Sequence, residues 1–225
     1  MKKLVVLSGA GISAESGIKT FRDSGGLWEQ YDVMDVASIE GWYKNPQLLI
    51  DFYNERRLQL ATSEPNDGHR GLAQLESQFD VQIITQNVDN LHERAGSTNV
   101  LHLHGELTKV RSVRNDSLIT DIGYTEIKLG EKASDGAQLR PYIVWFGEAV
   151  PMFEKAIAIA RQADVFVIIG TSLNVYPAAG IVNYVPAGVP IYLIDPEDVS
   201  SSKKIMHIKK PATEGVKELQ KILLG

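Results

Sequence analysis

The sequence of 225 residues contains no cysteine, which excludes a disulfide framework, a cysteine nucleophile and a thiolate metal site. It has no long apolar run either. No window approaches the roughly 20 apolar residues of a membrane span. Met1-Lys2-Lys3 followed by Leu4 to Leu7 imitates the start of a secretory signal, but the apolar run stops at Ser8-Gly9, short of the roughly 7 to 15 residues such a segment uses. A soluble, cytoplasmic protein is therefore expected. Basic charge is not in excess: 23 Lys and Arg stand against 28 Asp and Glu, for a formal charge of -5. The chain thus offers no electrostatic footprint for nucleic acid or an anionic membrane. Internal repeats and low-complexity tracts are absent. With 44% hydrophobic and 23% charged residues, what remains is an ordinary globular composition, sized for one large domain or one domain with a smaller insert.

Short apolar runs rich in β-branched residues recur at Leu4 to Leu7, Val81 to Ile84, Val100 to Leu103, Ile143 to Phe146, Val165 to Ile169 and Ile191 to Ile194. Runs of this length without alternation predict strands buried on both faces of a parallel sheet. Helical spacing holds over Gln47 to Leu60, His69 to Phe79, Met152 to Ala163 and Thr213 to Leu224. Strand and helix alternate, so the fold class is α/β. Two stretches break the pattern. Residues 25–65 form a helical excursion longer than a crossover needs. Residues 109–140 form a loop-rich insert with weak strand signals at Leu118-Ile119 and Tyr124 to Leu129.

Polar and small residues gather where the predicted strands end. The first strand runs into Gly9-Ala10-Gly11-Ile12-Ser13-Ala14, a turn in which glycines let main chain approach a pyrophosphate and a helix N-terminus supplies N–H groups; a tight turn without ligand fits equally well. Only the looser G-x-G-x-x-A form is met, and no acidic residue stands where a dehydrogenase fingerprint places one. Arg22 suits a phosphate clamp or a plain surface loop. After the second strand, Gln86, Asn87 and Asp89 stand where an open parallel sheet binds ligands, though Asn87 or Asp89 serves equally as a helix cap. Period two puts His102 and His104 on one side of the third strand, and His104, beside Gly105 at its end, suits a general base. His69, His92 and His207 are read as structural. Gly170-Thr171-Ser172 and Asp195-Pro196-Glu197 follow the next two strands. Each motif has a bland explanation, but that explanation must be invoked separately at every strand end.

Taken together and in this order, Gly9 to Ser13, Phe21-Arg22-Asp23, Thr85 to Asp89, His104-Gly105, Trp145-Phe146-Gly147-Glu148 and Gly170-Thr171-Ser172 resemble the sirtuins, NAD-dependent protein lysine deacylases. The resemblance implies a Rossmann-like large domain with helices on both faces of a parallel sheet (1–24, 66–108 and 141–225) and a small domain from two insertions (25–65 and 109–140). It implies that Gly9, Ala10, Gly11, Phe21, Arg22 and Trp28 hold the NAD phosphates and nicotinamide end, and that Gln86, Asn87 and Asp89 hold the nicotinamide ribose and carboxamide. Gly170, Thr171 and Ser172 would contact the adenosine side. Val144, Phe146, Gly147 and Glu148 would pair with the substrate peptide as an added strand, which implies broad peptide selectivity. In the family reaction the acyl-lysine oxygen displaces nicotinamide to give an alkylimidate. His104, as general base, then activates a ribose hydroxyl, and the acyl group ends on ADP-ribose.

Tyr53 and Arg56, three apart on a predicted helix, form a pair able to hold a carboxylate. They resemble the Tyr-x-x-Arg signature of sirtuins that remove succinyl and malonyl groups, with Ala37 as the small residue that makes room. Two departures stand out. The family's zinc cysteines are missing, with Ser112 where the first is expected, so no zinc is expected and the insert is predicted to hold together by Val113, Leu118, Ile119, Ile122, Tyr124 and Ile127. Asp195 replaces a frequent Asn at the adenosine ribose and disfavours a 2'-phosphate, implying NAD over NADP; Glu197 and Ala212 are placed near the same end. The alternatives are ADP-ribosyl transfer or NAD hydrolysis on the same scaffold, and a non-catalytic NAD-sensing module.

Overall fold

The structure is a computed structural model and describes residues 1–18, 31–199 and 203–225. Six parallel strands form the main sheet: β1 (Lys2–Ser8), β2 (Phe79–Thr85), β3 (Val100–His102), β7 (Val165–Ile169), β8 (Ile191–Ile194) and β9 (Met206–Ile208), in the order β3-β2-β1-β7-β8-β9. Because successive side chains of a strand point to opposite faces, β1 divides its own core. Leu4 and Val6 pack with Leu72, Val216 and Leu219 from the helices Asp67–Gln74 and Ala212–Leu224. Val5 and Leu7 pack on the other face with Ala156 and Ala160 of the helix Phe153–Ala160 and with Ile181 and Val182 of the 3-10 segment Ala178–Tyr184. Both faces are covered, which is why these strands read as unbroken apolar runs. Among the described residues no helix is long and apolar enough to cross a membrane.

Three antiparallel strands, β4 (Gly105–Ser112), β5 (Ile119–Asp121) and β6 (Leu139–Ile143), form a second sheet in the order β5-β4-β6. This corrects one expectation: the run Ile143 to Phe146 is not a strand of the parallel sheet. Ile143 closes β6, and beyond it only Phe146 makes an isolated bridge, to Ser38. The second sheet also starts before 109 and ends after 140. Tyr124 to Leu129 is not a strand because Ile127 hydrogen-bonds a side chain instead of a neighbouring strand. Asn54 Nδ2 donates to Ile127 O (2.8 Å) and Ile127 N donates back to Asn54 Oδ1 (3.1 Å).

Asn54 lies on the helix Pro46–Thr62, which begins with Asn45 capping Leu48 N and a proline in its first turn. Its buried Leu49, Ile50, Phe52 and Tyr53 share a third core with Val36, Ala37, Trp42, Val110, Ile127 and Trp145. Of the six residues expected to hold the insert, Ile127 is buried and Ile122 and Tyr124 pack against this core, whereas Val113 and Ile119 are 40% and 41% exposed. Polar bonds do more there than expected. Buried Ser112 donates from Oγ to Asp135 Oδ2 (2.7 Å) and accepts from the N–H groups of Arg114 (3.0 Å) and Asn115 (3.2 Å). A serine thus ties the insert together where the resemblance would put a zinc ligand. Among the described residues no cluster of three His, Asp or Glu side chains suits a metal.

Candidate functional site at the switch point of the sheet

From β1 the chain builds β2 and β3 to one side, then β7, β8 and β9 to the other, so the carboxyl ends of β1 and β7 flank the point where an open α/β sheet binds its ligands. The turns leaving these two strands touch main chain to main chain. Gly9 N donates to Ile169 O (2.9 Å) and Gly11 N to Gly170 O (2.8 Å). A Cβ on Gly9 would lie 2.7 Å from Gly170 O, and one on Gly170, whose φ is +64°, would lie 2.3 Å from Ile12 N. The glycines are therefore required first by this approach of two turns. The helix that opens here is a single turn, Gly11–Ala14. The N–H groups of Ile12 and Ser13 close onto Gly9 O and Ala10 O, so Ala10 N–H is the one at this turn for which no partner is found among the described residues.

Further hydrogen bonds cross between the strand ends. Gln86 Nε2 donates to Thr171 Oγ1 (3.1 Å), joining the β2 and β7 turns. Buried Asn87 donates from Nδ2 to Gly9 O and to Ser13 Oγ, each at 3.2 Å. Ser13 in turn donates from Oγ to Asp89 Oδ2 (3.0 Å), while Asp89 Oδ1 accepts from Leu91 N (3.1 Å). Burial raises the Asp89 carboxyl above its ordinary value, against these bonds.

His104 lies just past β3. Its Nδ1 is 3.0 Å from Gln86 O, and since a carbonyl only accepts, Nδ1 carries the proton and Nε2 is the free base. Burial holds the ring below the ordinary imidazole pKa, and the bond to Gln86 opposes this only in part. The neutral tautomer is therefore the resting form at pH 7, as a general base requires.

Tyr53 and Arg56, the pair expected to hold an acyl carboxylate, lie on the helix Pro46–Thr62. Arg56 and Asp89 line one small cavity with Ile18, Val88 and Leu107. Tyr53 lies behind, 2% exposed, its phenol pushed up to about 12 by burial. The Tyr53 oxygen accepts from Trp145 Nε1 at 3.0 Å, which leaves the phenol proton free to serve as a donor. Ala37 is buried in the same cluster.

Some expectations shift. Phe146 N donates to Ala37 O (2.8 Å) and Phe146 O accepts from Ile39 N (3.0 Å), while Val144 N donates to His104 O (2.9 Å). The main-chain groups of Phe146 are thus already engaged, and an added strand would find its ring, 42% exposed, more readily than its backbone. The Glu148 carboxylate is also committed: it accepts from Arg140 Nη1 (2.7 Å) and Nη2 (2.9 Å) and from Trp145 N (2.9 Å). Asp195 Oδ1 accepts from Glu197 N (2.9 Å), with the Glu197 side chain exposed. Ala212 is packed in the core against Val216 and Leu219. Phe21, Arg22 and Trp28 lie outside the described residues.

Sequence reasoning missed a second layer. His69, read as merely structural, accepts at Nδ1 from Asn66 N (3.3 Å), so Nε2 bears the proton and points at Ser13 Oγ (3.4 Å). Its ring stands 5.0 Å from that of His92, which meets Ser8 Oγ at 2.9 Å. His102 and Arg140 belong to this layer too, as does Trp145, which the sequence motif had named without a role. The placement of His102 on the same side as His104 gave a local signal, whereas the contacts of His69 with Ser13, of His92 with Ser8 and of Trp145 with Tyr53 join residues 56, 84 and 92 positions apart.

Comparison with known proteins agrees with this geometry. The chain is 58% identical, over 100% of its length and 99% of the relative's, to an NAD-dependent protein deacylase of Bacteroides thetaiotaomicron. Among solved structures it is similar to a Sir2 homolog in complex with NAD (37% identity, TM-score 0.88, 99% of this chain and 91% of the other). It is also similar to a Sir2 complex with a p53 peptide and NAD+ (27% identity, TM-score 0.82, 97% and 92%). A family model described as Sir2 family matches residues 9–177, the span that holds both strand-end turns, the Asn87 and Asp89 network and His104: the chain belongs to the Sir2 family.

Proposed function

We propose that this protein is an NAD-dependent protein lysine deacylase that releases nicotinamide and moves the acyl group of an acyl-lysine protein or peptide onto ADP-ribose. The observation that carries this reading is the pair of bonded groups across the strand ends, Gln86 to Thr171 and Asn87 through Ser13 to Asp89, with His104 presenting an unprotonated Nε2 beside them. NAD, when bound, supplies the ribosyl carbon that accepts the acyl oxygen and the nicotinamide that leaves. Gly9, Ala10 and Gly11, together with Phe21, Arg22 and Trp28, hold its phosphates and nicotinamide end. Gln86, Asn87 and Asp89 orient the nicotinamide ribose and carboxamide. Gly170, Thr171, Ser172 and Asp195 are assigned to the adenosine side, with Glu197 and Ala212 near the same end. His104 Nε2 accepts a proton from a ribose hydroxyl, which needs the neutral ring that burial favours.

The substrate peptide is assigned to Val144, Phe146, Gly147 and Glu148, held through the Phe146 ring and the main chain of the turn. For acidic acyl groups, Arg56 supplies the charge and Tyr53, its oxygen already bonded to Trp145, donates the phenol proton; Ala37 leaves space beside them. The large and small domains follow the division by the two insertions, the small one sharing the core of Leu49, Tyr53, Val110 and Ile127. Retention of a base at His104 argues against NAD hydrolysis or ADP-ribosyl transfer, which have no acyl step to activate.

Mass spectrometry of matched acetyl-lysine and succinyl-lysine peptides with NAD tests this directly. His104→Ala is expected to abolish acyl-ADP-ribose formation from both, and Arg56→Met to lose desuccinylation while sparing deacetylation. Equal loss of both activities in the Arg56 variant overturns the carboxylate assignment. Nicotinamide release without deacylated peptide overturns the deacylase reading.

A further inference from the structure

We infer that His102, held between the main-chain oxygen of Asn87 and the carboxylate of Glu93, is a positioning residue that fixes the Gln86-Asn87 segment for catalysis. His102 Nδ1 is 3.0 Å from Asn87 O and Nε2 is 2.7 Å from Glu93 Oε1. A main-chain carbonyl accepts only, and so does Glu93 in the ionised form that its lowered pKa favours, so the ring then fills both bonds with a proton on each nitrogen, as an imidazolium. The His102 side chain is 8% exposed, while Glu93, 40% exposed, meets it from the solvent side. Two histidines therefore hold two successive carbonyls in opposite protonation states: neutral His104 holds Gln86 O, and cationic His102 holds Asn87 O.

The charged surroundings favour the cation. Burial by itself lowers the His102 pKa, but the bond to Glu93 and its charge, then Glu106 and Asn87 O, raise it above the ordinary imidazole value. Glu93 is held below its ordinary value by the same pair in spite of its own burial. Glu106 is shared with Lys109 at 2.8 Å. The remaining titratable neighbours are Asp89 and His92, both of which sense the His102 charge. The far end of the relay is the Asn87 amide, which bonds Gly9 O and Ser13 Oγ. The peptide oxygen that His102 grips belongs to the residue whose side chain reaches the switch point of the sheet. The inference rests on the assignment of Asn87 to the nicotinamide ribose.

Steady-state kinetics of the full chain with NAD and an acetyl-lysine peptide, from pH 6 to 10, test it, together with 15N chemical shifts of the His102 ring. The wild-type ring is expected to be doubly protonated at pH 7. His102→Phe is expected to raise the KM for NAD about tenfold, the scale of one charge-assisted hydrogen bond, with a smaller fall in kcat. His102→Gln, which keeps an N–H donor group able to reach one of the two acceptors, recovers part of that loss. Glu93→Gln, a surface-reaching change that leaves the ring in place, moves the alkaline limb of the NAD kcat/KM profile to lower pH. A neutral ring at pH 7, an unmoved alkaline limb in Glu93→Gln, or a wild-type KM in His102→Phe overturns the inference. Asn87→Ala separates the two readings: wild-type activity in that variant removes the role of Asn87, while its inactivity beside unaffected His102 and Glu93 variants refutes the positioning role alone.

Discussion

Replacing Arg140 by Met removes one half of a pair that shapes the turn carrying Phe146 and Gly147. The Arg140 side chain is 3% exposed and Glu148 17%. The guanidinium makes two bonds to the carboxylate and a third to Ile143 O (2.9 Å), and it lies 3.6 Å from the centre of the Trp145 ring. Breaking a buried pair from one side costs about 3 to 5 kcal/mol, against about 0 to 1 kcal/mol for an exposed one. Glu148 retains some solvent and keeps Arg111 at 3.4 Å, so the lower end, about 3 kcal/mol, applies. In a chain of this length that lowers Tm by about 9 °C.

Urea and thermal unfolding of Arg140→Met, Glu148→Gln and the double variant form a cycle. The double variant is expected to cost about 2 kcal/mol less than the two single losses together, because each single change strands the partner's polar group. Single losses under about 1 kcal/mol, or additivity within about 0.5 kcal/mol, refute the assignment of a coupled buried pair. The pH dependence has a definite sign. Burial alone would raise the Glu148 carboxyl, but the Arg140 bond and charge hold it below its ordinary value of 4.5. The unfolded chain takes up this proton first, so the contribution of Glu148 is complete above pH 4.5 and is lost as the pH falls through the depressed folded value.

Two further outcomes concern stability. His69 is held to about 4 by burial, against 6.5 unfolded, so between these values the unfolded state binds the extra proton and stability is lost as the pH is lowered from above 6.5 towards 4. This gap corresponds to about 3 kcal/mol; comparing urea midpoints at pH 7.5 and 4.5, His69→Asn is expected to show a flatter dependence than wild type, and equal slopes refute it. Ser112→Ala removes a hydroxyl with three partners in the insert and is expected to lower Tm by about 3 °C. EDTA is expected to leave the wild-type Tm unmoved, and a fall on chelation would contradict the account of the insert as tied by Ser112.

The parallel sheet was legible because its strands are buried on both faces and so read as runs such as Val165 to Ile169, a local signal. The same criterion misplaced Ile143 to Phe146. An apolar run reports burial but not which sheet does the burying, and here Ile143 and Trp145 are buried by Tyr53 and Trp42 from the helical excursion. The short edge strand Met206–Ile208 was missed because Met206 is 42% exposed and leaves no apolar run.

At the site, the residue types at each strand end were determined by the sequence alone: the glycines, Gln86, Asn87, Asp89 and His104 stand where parallel strands must end on a common side. Protonation and partnership were decided only by tertiary structure. Whether His104 is a neutral base depends on Gln86 O, and whether His102 is a cation depends on Glu93; the Tyr53 phenol likewise takes its direction from Trp145, 92 positions away. Sequence lists the donors and acceptors a chain carries. Folding chooses which of them meet, because a buried polar group is held by whichever partner the packing brings within reach.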